Sequence, residues 1–418
     1  MNMQINELNL ERDLAFDRSK VVDGNIFDPA FKRRPTETFM EWATKTPFYM
    51  LFGGWPQAVA TRHEDVKRAF GDHEYFSSVK RPWRGIEKFY YFQGLPVVTD
   101  NDPPNQARLR RLMAPAFSPR RLAAIETDLA VYVAARLDAL EAGDGRFDAV
   151  TDLGRPLSAQ VLFGMLLGLP EEDWGVFLRI AHLFSVFNNM KAGDKPPAEF
   201  LQAWAEGRAY CEKLIEDRRR HPQDDVVGHI VAAHDAEGKI TVDEMFATLF
   251  VMYVAGQGGV ANTPAWALWR LCRHRDQLEL LQREPELLSN AVDEGIRTDP
   301  NAYMLLRHAT RDFEFSGLQL YKDMPVLIIP GAPNYDPTRY EDPLKFDITR
   351  KPQKDIMSFG YGVHHCIGEA LARMAGRVTV GAVVKRFPKL RLEDPDLWPE
   401  ILGGPKERGP VSIPLRFD

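Results

Sequence analysis

Apolar positions change their period twice along this chain. Near the N-terminal end they come in short blocks. Phe48-Tyr49-Met50-Leu51-Phe52 and Gln57-Ala58-Val59-Ala60-Thr61 flank Gly53-Gly54-Trp55-Pro56, a turn composition, and the two blocks are expected to pair as strands. From Asp102 to about Leu288 the period becomes helical. Leu122 to Leu140 is amphipathic, and Val161 to Leu169 reads as an apolar helix stopped by Gly168 and Pro170. Thr241 with Glu244 three residues on forms a capping box. The helix it opens runs into Met245–Ala255, apolar on every side, as in a helix buried at the centre of a soluble protein. Beyond Pro300 short strands return at Phe313–Phe315 and Val326–Ile329. A Pro-rich irregular stretch, 333–352, follows, and a last helix starts near Ile367. The expected fold is mainly α with a smaller β part, as one domain over 1–418. Its β-rich parts are 45–65, 300–335 and the C-terminus; its α-rich parts are 102–297 and 366–386.

Composition narrows the function. A chain of 418 residues buries a large core without disulfide staples. Its 53 basic and 59 acidic residues leave a net charge of −6, which argues against a general nucleic-acid binder. Cys211, Cys272 and Cys366 are scattered with no C-x-x-C, against a disulfide framework or a zinc site and in favour of a reducing cytoplasm. The first twenty residues are polar and charged, and no run of about eighteen apolar residues occurs, so a cytoplasmic protein without a membrane anchor is expected.

The segment richest in chemistry is Ser358-Phe359-Gly360-Tyr361-Gly362-Val363-His364-His365-Cys366-Ile367-Gly368-Glu369-Ala370. Two glycines among bulky residues predict a tight loop that delivers Cys366 to a helix N-terminus. There the helix dipole and unpaired amides are expected to lower the thiol pKa and favour a soft metal. One thiolate without Cys or His partners at zinc spacing suits a single axial ligand, as in haem-thiolate iron. Local chemistry also admits a buried free cysteine in a glycine turn, or a nucleophile served by His364 or His365.

The run Phe359-Gly-x-Gly362-x-His364-x-Cys366-x-Gly368 resembles the haem-binding signature F-G-x-G-x-[HR]-x-C-x-G of the cytochrome P450 family, with every fixed position filled. The resemblance extends from about Thr36 to the C-terminus and implies the triangular-prism fold, haem b, and monooxygenase activity. It makes Cys366 the proximal ligand of the iron, His364 a donor to a haem propionate, and Phe359 a neighbour of the cysteine side of the porphyrin. Amides after Cys366, near Gly368, would moderate the sulfur. Glu294-Gly-Ile-Arg297 is similar to the family's E-x-x-R, a buried structural pair. Its third member would come from Tyr340–Phe346, where this chain has Lys345 in place of the usual Arg. Asp102-Pro-Pro-Asn-Gln106-Ala-Arg-Leu-Arg110 resembles D-P-P-x-H-x-x-x-R, with Gln106 replacing His and Arg110 as a propionate arginine. Arg307 matches a further propionate contact.

The central helix departs from the family. Its pattern [AG]-G-x-[DE]-T carries an acid and an alcohol that relay protons to dioxygen. Here Ala255-Gly256-Gln257-Gly258-Gly259 puts glycine at both positions. Thr263, four residues on, lies about 6 Å further along the axis. Pro264 is expected to kink or bulge the helix at Val260. Proton delivery is therefore expected to use water on backbone carbonyls, with Gln257 or Asn262, or a polar group of the substrate; Gly256, Gly258, Gly259 and Thr263 complete this candidate site. A close neighbouring backbone is the plainer reason for such a turn.

By family position, substrate contacts fall in 78–97, in 182–195, on the central helix and at Tyr303-Met304-Leu305. Trp83, Phe89, Tyr90, Tyr91 and Phe92 suggest an apolar ligand, aromatic or terpenoid-sized. Lys80, Arg81, Arg84 and Lys88 read as a solvated loop rather than a carboxylate receptor. The resemblance implies dioxygen, a ferredoxin and a ferredoxin reductase as partners, and Arg108, Arg110, Arg111, Arg373 and Arg377 as a docking face for an acidic protein. A peroxygenase, a non-oxygenating haem-thiolate enzyme and a haem-binding sensor stand as alternatives.

Overall fold

The apolar blocks pair as expected in the computed structural model, which describes residues 16–24, 26, 28–52, 54–81, 83, 97–188, 197–237, 241–351, 356–402 and 408–418. Strands β1 (Phe48–Phe52) and β2 (Trp55–Ala60) form an antiparallel hairpin with Phe52 opposite Trp55. The turn is therefore shorter than the sequence suggests, and Trp55 and Pro56 belong to the strand. With β3 (Phe76–Ser77), β4 (Leu305–Ala309) and β5 (Pro325–Ile328) they make one sheet in the order β1-β2-β5-β4-β3. Only β2 and β5 run parallel, with Ala58 facing Val326. Phe39, Tyr49, Val59, Leu327 and Tyr335 sit in its apolar core. At the C-terminus, Pro414–Arg416 pairs with both Arg146–Asp148 and Arg391–Leu392.

The helices that build the site are α1 (His63–Gly71), α2 (Asn105–Met113), α3 (Pro119–Glu141), α4 (Val242–Arg273), α5 (Leu288–Thr298) and α6 (Glu369–Arg386). The predicted capping box is present: the Glu244 amide donates to Thr241 Oγ1 at 3.1 Å and the Thr241 amide to Glu244 Oε2 at 2.8 Å. From there α4 runs 32 residues as one α-helix with Pro264 inside it. The expected bulge is absent. A lost helix bond costs about 3 kcal/mol, whereas burying Leu268 and Leu271 on the next turns returns roughly 1.5–3 kcal/mol each. Packing outweighs the proline. Helices α4, α5 and α6 touch one another pairwise. A Cβ at Gly376 would come within 2.7 Å of Val292 and 3.1 Å of Thr263, so this glycine permits the close approach of α6. Among the described residues, no helix is long and apolar enough to cross a membrane.

Candidate functional site

The cysteine loop is folded by its glycines. Gly360 and Gly362 have φ of 71° and 73°, the left-handed region that side-chain-bearing residues avoid. They turn the chain so that the Cys366 amide donates back to the Phe359 carbonyl at 2.9 Å, and α6 starts three residues later. Solvent reaches the Cys366 side chain, unlike Cys211 and Cys272. Yet enough protein surrounds the sulfur to desolvate it, which puts it in a recess rather than on the outer face.

The expectation of a lowered thiol pKa is corrected here. Burial raises it first and Glu369 adds to the rise; the amides of Gly368 and Glu369 and the charge of Arg110 pull the other way without prevailing. The helix N-terminus offers its donors as expected, but they do not offset desolvation. A bound metal cation would supply what is missing, since coordination removes a thiol proton outright. His364 Nε2 lies 2.9 Å from Ser78 Oγ, and His365 Nε2 lies 3.2 Å from Glu369. Neither imidazole is engaged with the sulfur, which removes the geometric basis of a Cys–His nucleophile. Among the described residues, no three His, Cys, Asp or Glu side chains gather as a metal cluster.

Positive groups converge beside the loop. Arg307 on β4 is buried, with one hydrogen bond to the Leu306 carbonyl at 3.0 Å and its guanidinium 5.6 Å from the Phe70 ring. Desolvation pulls it down to about 10, against the more distant pull of Asp102 and Asp100. It has no ion-pair partner among the described residues. His364 is pushed down to about 3 by burial and then by Arg307, Lys80 and Arg110. Such a set of desolvated donors is an anion cradle, and a haem brings two carboxylates. Lys80, read from sequence as part of a solvated loop, belongs to this cradle and also pairs with Asp100 at 3.1 Å. Gln106 faces elsewhere: buried, its Nε2 donates to the Val363 carbonyl at 2.7 Å and braces the cysteine loop against α2.

Along α4, residues 244–253, 260, 261 and 263–272 are buried. Solvent reaches only Val254–Gly259 and Asn262 within that span, so the helix opens at its glycine turn. The three glycines differ. A Cβ at Gly256 would meet Leu162 at 2.8 Å, so this one makes room for a neighbour. At Gly258 and Gly259 the nearest atoms would be Asn262 Nδ2 at 3.5 Å and Ala372 Cβ at 3.9 Å, ordinary contacts. Their missing side chains leave space. Ala372 lies on α6, six residues past Cys366, so the opened turn and the cysteine recess meet at one helix junction. Gln257 gives its carbonyl to Ser158 Oγ at 3.3 Å. Thr263 is buried and accepts from Asn301 Nδ2 at 3.3 Å, while its methyl packs toward Gly376. The structure thus does not bring Thr263 together with the open glycines.

The E-x-x-R pair is buried, as the resemblance implies, and bidentate: Arg297 Nε and Nη2 each donate to Glu294 at 2.8 Å. Its third member is Arg350, whose Nε lies 3.1 Å from Glu294 Oε1, not a residue of 340–346. Lys345 contributes only its carbonyl, and its ammonium turns outward to Asp347 at 3.0 Å. Nothing in Thr349-Arg350-Lys351 marks Arg350 as half of a buried network.

Only part of the proposed substrate segments lies among the described residues. Trp83 is buried and donates to the Pro56 carbonyl, so it packs on the sheet. Tyr303 is buried among Phe31 and Phe39. Arg84, Lys88, Phe89, Tyr90, Tyr91, Phe92 and 189–195 lie outside the described residues. Of the five arginines read as a docking face, Arg108 pairs with Glu244, Arg373 pairs with Asp293 and Glu369, and Arg110 belongs to the cradle. Arg111 and Arg377 keep no ion pair among the described residues.

Comparison with known proteins agrees with this geometry. The family model Cytochrome P450 matches residues 18–401. Cytochrome P450 130 of Mycobacterium tuberculosis is 33% identical over 86% of this chain and 88% of its own. The 6-deoxyerythronolide B hydroxylase of Saccharopolyspora erythraea is 31% identical over 90% of this chain and 94% of its own. Among solved structures, that of CalO2 superposes with a TM-score of 0.84 at 30% identity, covering 94% of this chain and 98% of that one. Haem b held by a cysteine thiolate is the cofactor of that family, and a solvent-reachable sulfur beside a cationic cradle whose buried Arg307 has no direct ion pair among the described residues fits such a group. A match of this length, carried through sequence, fold and cofactor chemistry, makes the chain a member of the cytochrome P450 family.

Proposed function

We propose that this P450 monooxygenase inserts one atom of dioxygen into an apolar small molecule, with Cys366 as the iron ligand and Arg307, Arg110, His364 and Lys80 receiving the propionates. Phe359 lines the cysteine side, and Gly368 contributes its amide to the sulfur. Bound there, haem supplies the one-electron and dioxygen chemistry. Electrons come from a ferredoxin and its reductase, a reading supported by the unpaired Arg111 and Arg377. A cytoplasmic setting accords with three free thiols. Small apolar residues Val97, Ala247 and Val251 pack as a separate cluster near the open turn, which supports an apolar ligand.

The observation that carries the cofactor assignment is Arg307, a buried cation that makes no direct ion pair with the described residues. Arg307→Met tests it with two readings of opposite sign. Haem retention is expected to weaken by about 10–100-fold, the usual cost of losing a supporting group around a metal centre. The haem-free chain, relieved of an unpaired buried charge, is expected to melt no lower than the unmodified one. A lower melting point with haem retention unchanged would make Arg307 a purely structural residue.

With glycine at 258 and 259, this chain presents no acid or alcohol side chain where the family has them. Water held by backbone carbonyls and amide side chains takes over, and these residues orient it. Gly259→Thr has room for its Cβ and puts a hydroxyl where the family has its alcohol, so product formed per reductant consumed is expected to change by about threefold or more. Unchanged coupling counts against this route. The same glycines also suit a peroxide-driven enzyme. Turnover that is as fast with peroxide alone as with the full electron supply would favour that second reading.

A further inference from the structure

The amide of Asn262 occupies an unusual position. Helical side chains lean toward the N-terminus, so a residue at i+4 covers the surface above residue i. Asn262 does this over Gly258: its Nδ2 lies 3.5 Å from where a Cβ at 258 would stand. On its other side is Gly409, where a Cβ would come within 2.8 Å of the same nitrogen. One glycine therefore makes room for the amide, and the other leaves the space in front of it free. Asn262 is also the one position outside Val254–Gly259 where solvent reaches the otherwise buried middle of α4. Its side chain makes no hydrogen bond with the described residues. An amide that is half-buried and unsatisfied by protein takes water as its partner.

We propose that Asn262 is a positioning residue that holds the proton-delivering water in the space left by Gly258, in place of the acid side chain found there in the family. The idea rests on the monooxygenase reading above and selects Asn262 over Gln257 because it is the Asn262 amide that stands against the empty Cβ position of Gly258. Asn262 neither gains nor loses a proton. Its N–H donates to the water oxygen, leaving both water hydrogens free to donate, one of them into the recess. A proton given up by this water would be replaced from bulk solvent through the same opening, and the electrons would come from the redox partner.

The test compares Asn262→Leu and Asn262→Gln with the unmodified holoenzyme. In Asn262→Leu the thiolate-type carbonyl spectrum and the substrate-induced spin shift are expected to persist. The infrared stretch of bound carbon monoxide, which senses water and donors above the ligand, is expected to shift. Coupling of reductant to product is expected to drop by about threefold or more, with an altered solvent isotope effect. Asn262→Gln keeps the donor and is expected to recover part of both. An unmoved carbon monoxide stretch together with unchanged coupling in Asn262→Leu overturns the proposal and leaves Asn262 as packing against Gly409. An unmodified protein that lacks the thiolate spectrum altogether overturns the monooxygenase reading itself, and this proposal with it.

Discussion

Cys366→Ser protein is expected to lose the carbonyl spectrum of thiolate-ligated haem and more than about 10³-fold of its turnover, a barrier increase of roughly 4 kcal/mol. The change is one atom, and the fold should tolerate it. Solvent reaches the side chain, so no core volume is lost, and the loop is held by its glycines and by the Cys366 amide bonding Phe359 rather than by sulfur. Unfolding temperature measured on the haem-free chain is therefore expected to match the unmodified protein. The electronic consequence is large because a serine hydroxyl in a desolvated recess keeps its proton more firmly than a thiol does. The Gly368 and Glu369 amides, which favour the anionic form of the sulfur, would face a neutral group. Survival of both spectrum and turnover in this variant would remove the iron from Cys366 and with it the proposed function.

Much of this molecule is legible in its sequence where local chemistry and global structure agree. The capping box at Thr241, the glycine loop before Cys366 and the hairpin around Gly53-Gly54 are all set by nearest neighbours, and each forms close to where it is read. Legibility fails where the partner is distant in sequence or where two local rules compete. Pro264 signals a kink or bulge, yet α4 continues through it as one α-helix because tertiary burial holds it. The thiol pKa illustrates the same competition, since the helix N-terminus is visible in the sequence and the degree of desolvation is not. Gln106 reads as a substitute for a charged propionate donor because its spacing in the motif is right. Its bond to Val363, 257 residues away, is a property of how α2 meets the loop. Gly256, Gly258 and Gly259 look equivalent in sequence, and only their neighbours separate the one that admits Leu162 from the two that leave space.

The Glu294 network offers the second large effect and a direct check on its membership. The Glu294 carboxylate receives two donors from Arg297, one from Arg350 and the Asp347 amide at 3.0 Å. Arg297 in turn donates to the carbonyls of Asn334, Pro343 and Lys345. Asn334 carries the contact onward: its Oδ1 accepts from the Met357 amide at 3.0 Å and its Nδ2 donates to Ser358 Oγ at 2.8 Å. One buried ion pair thus ties α5 to 334–350 and, through Asn334, to the start of the cysteine loop. Glu294→Gln strands a buried guanidinium and is expected to cost about 3–5 kcal/mol, which for a chain of this length lowers the unfolding midpoint by roughly 5 °C. Haem retention should fall with it, because the loop loses its anchor. Arg350→Ala, which removes one of the donors but leaves the central pair bidentate, is expected to show the same two changes at a fraction of the size. Lys345→Ala, whose ammonium reaches only Asp347 in solvent, should leave midpoint and haem retention where they were, because its carbonyl still serves Arg297. If Lys345→Ala proved the more damaging of the last two, the third member of the network would be the residue that the family pattern implies rather than Arg350.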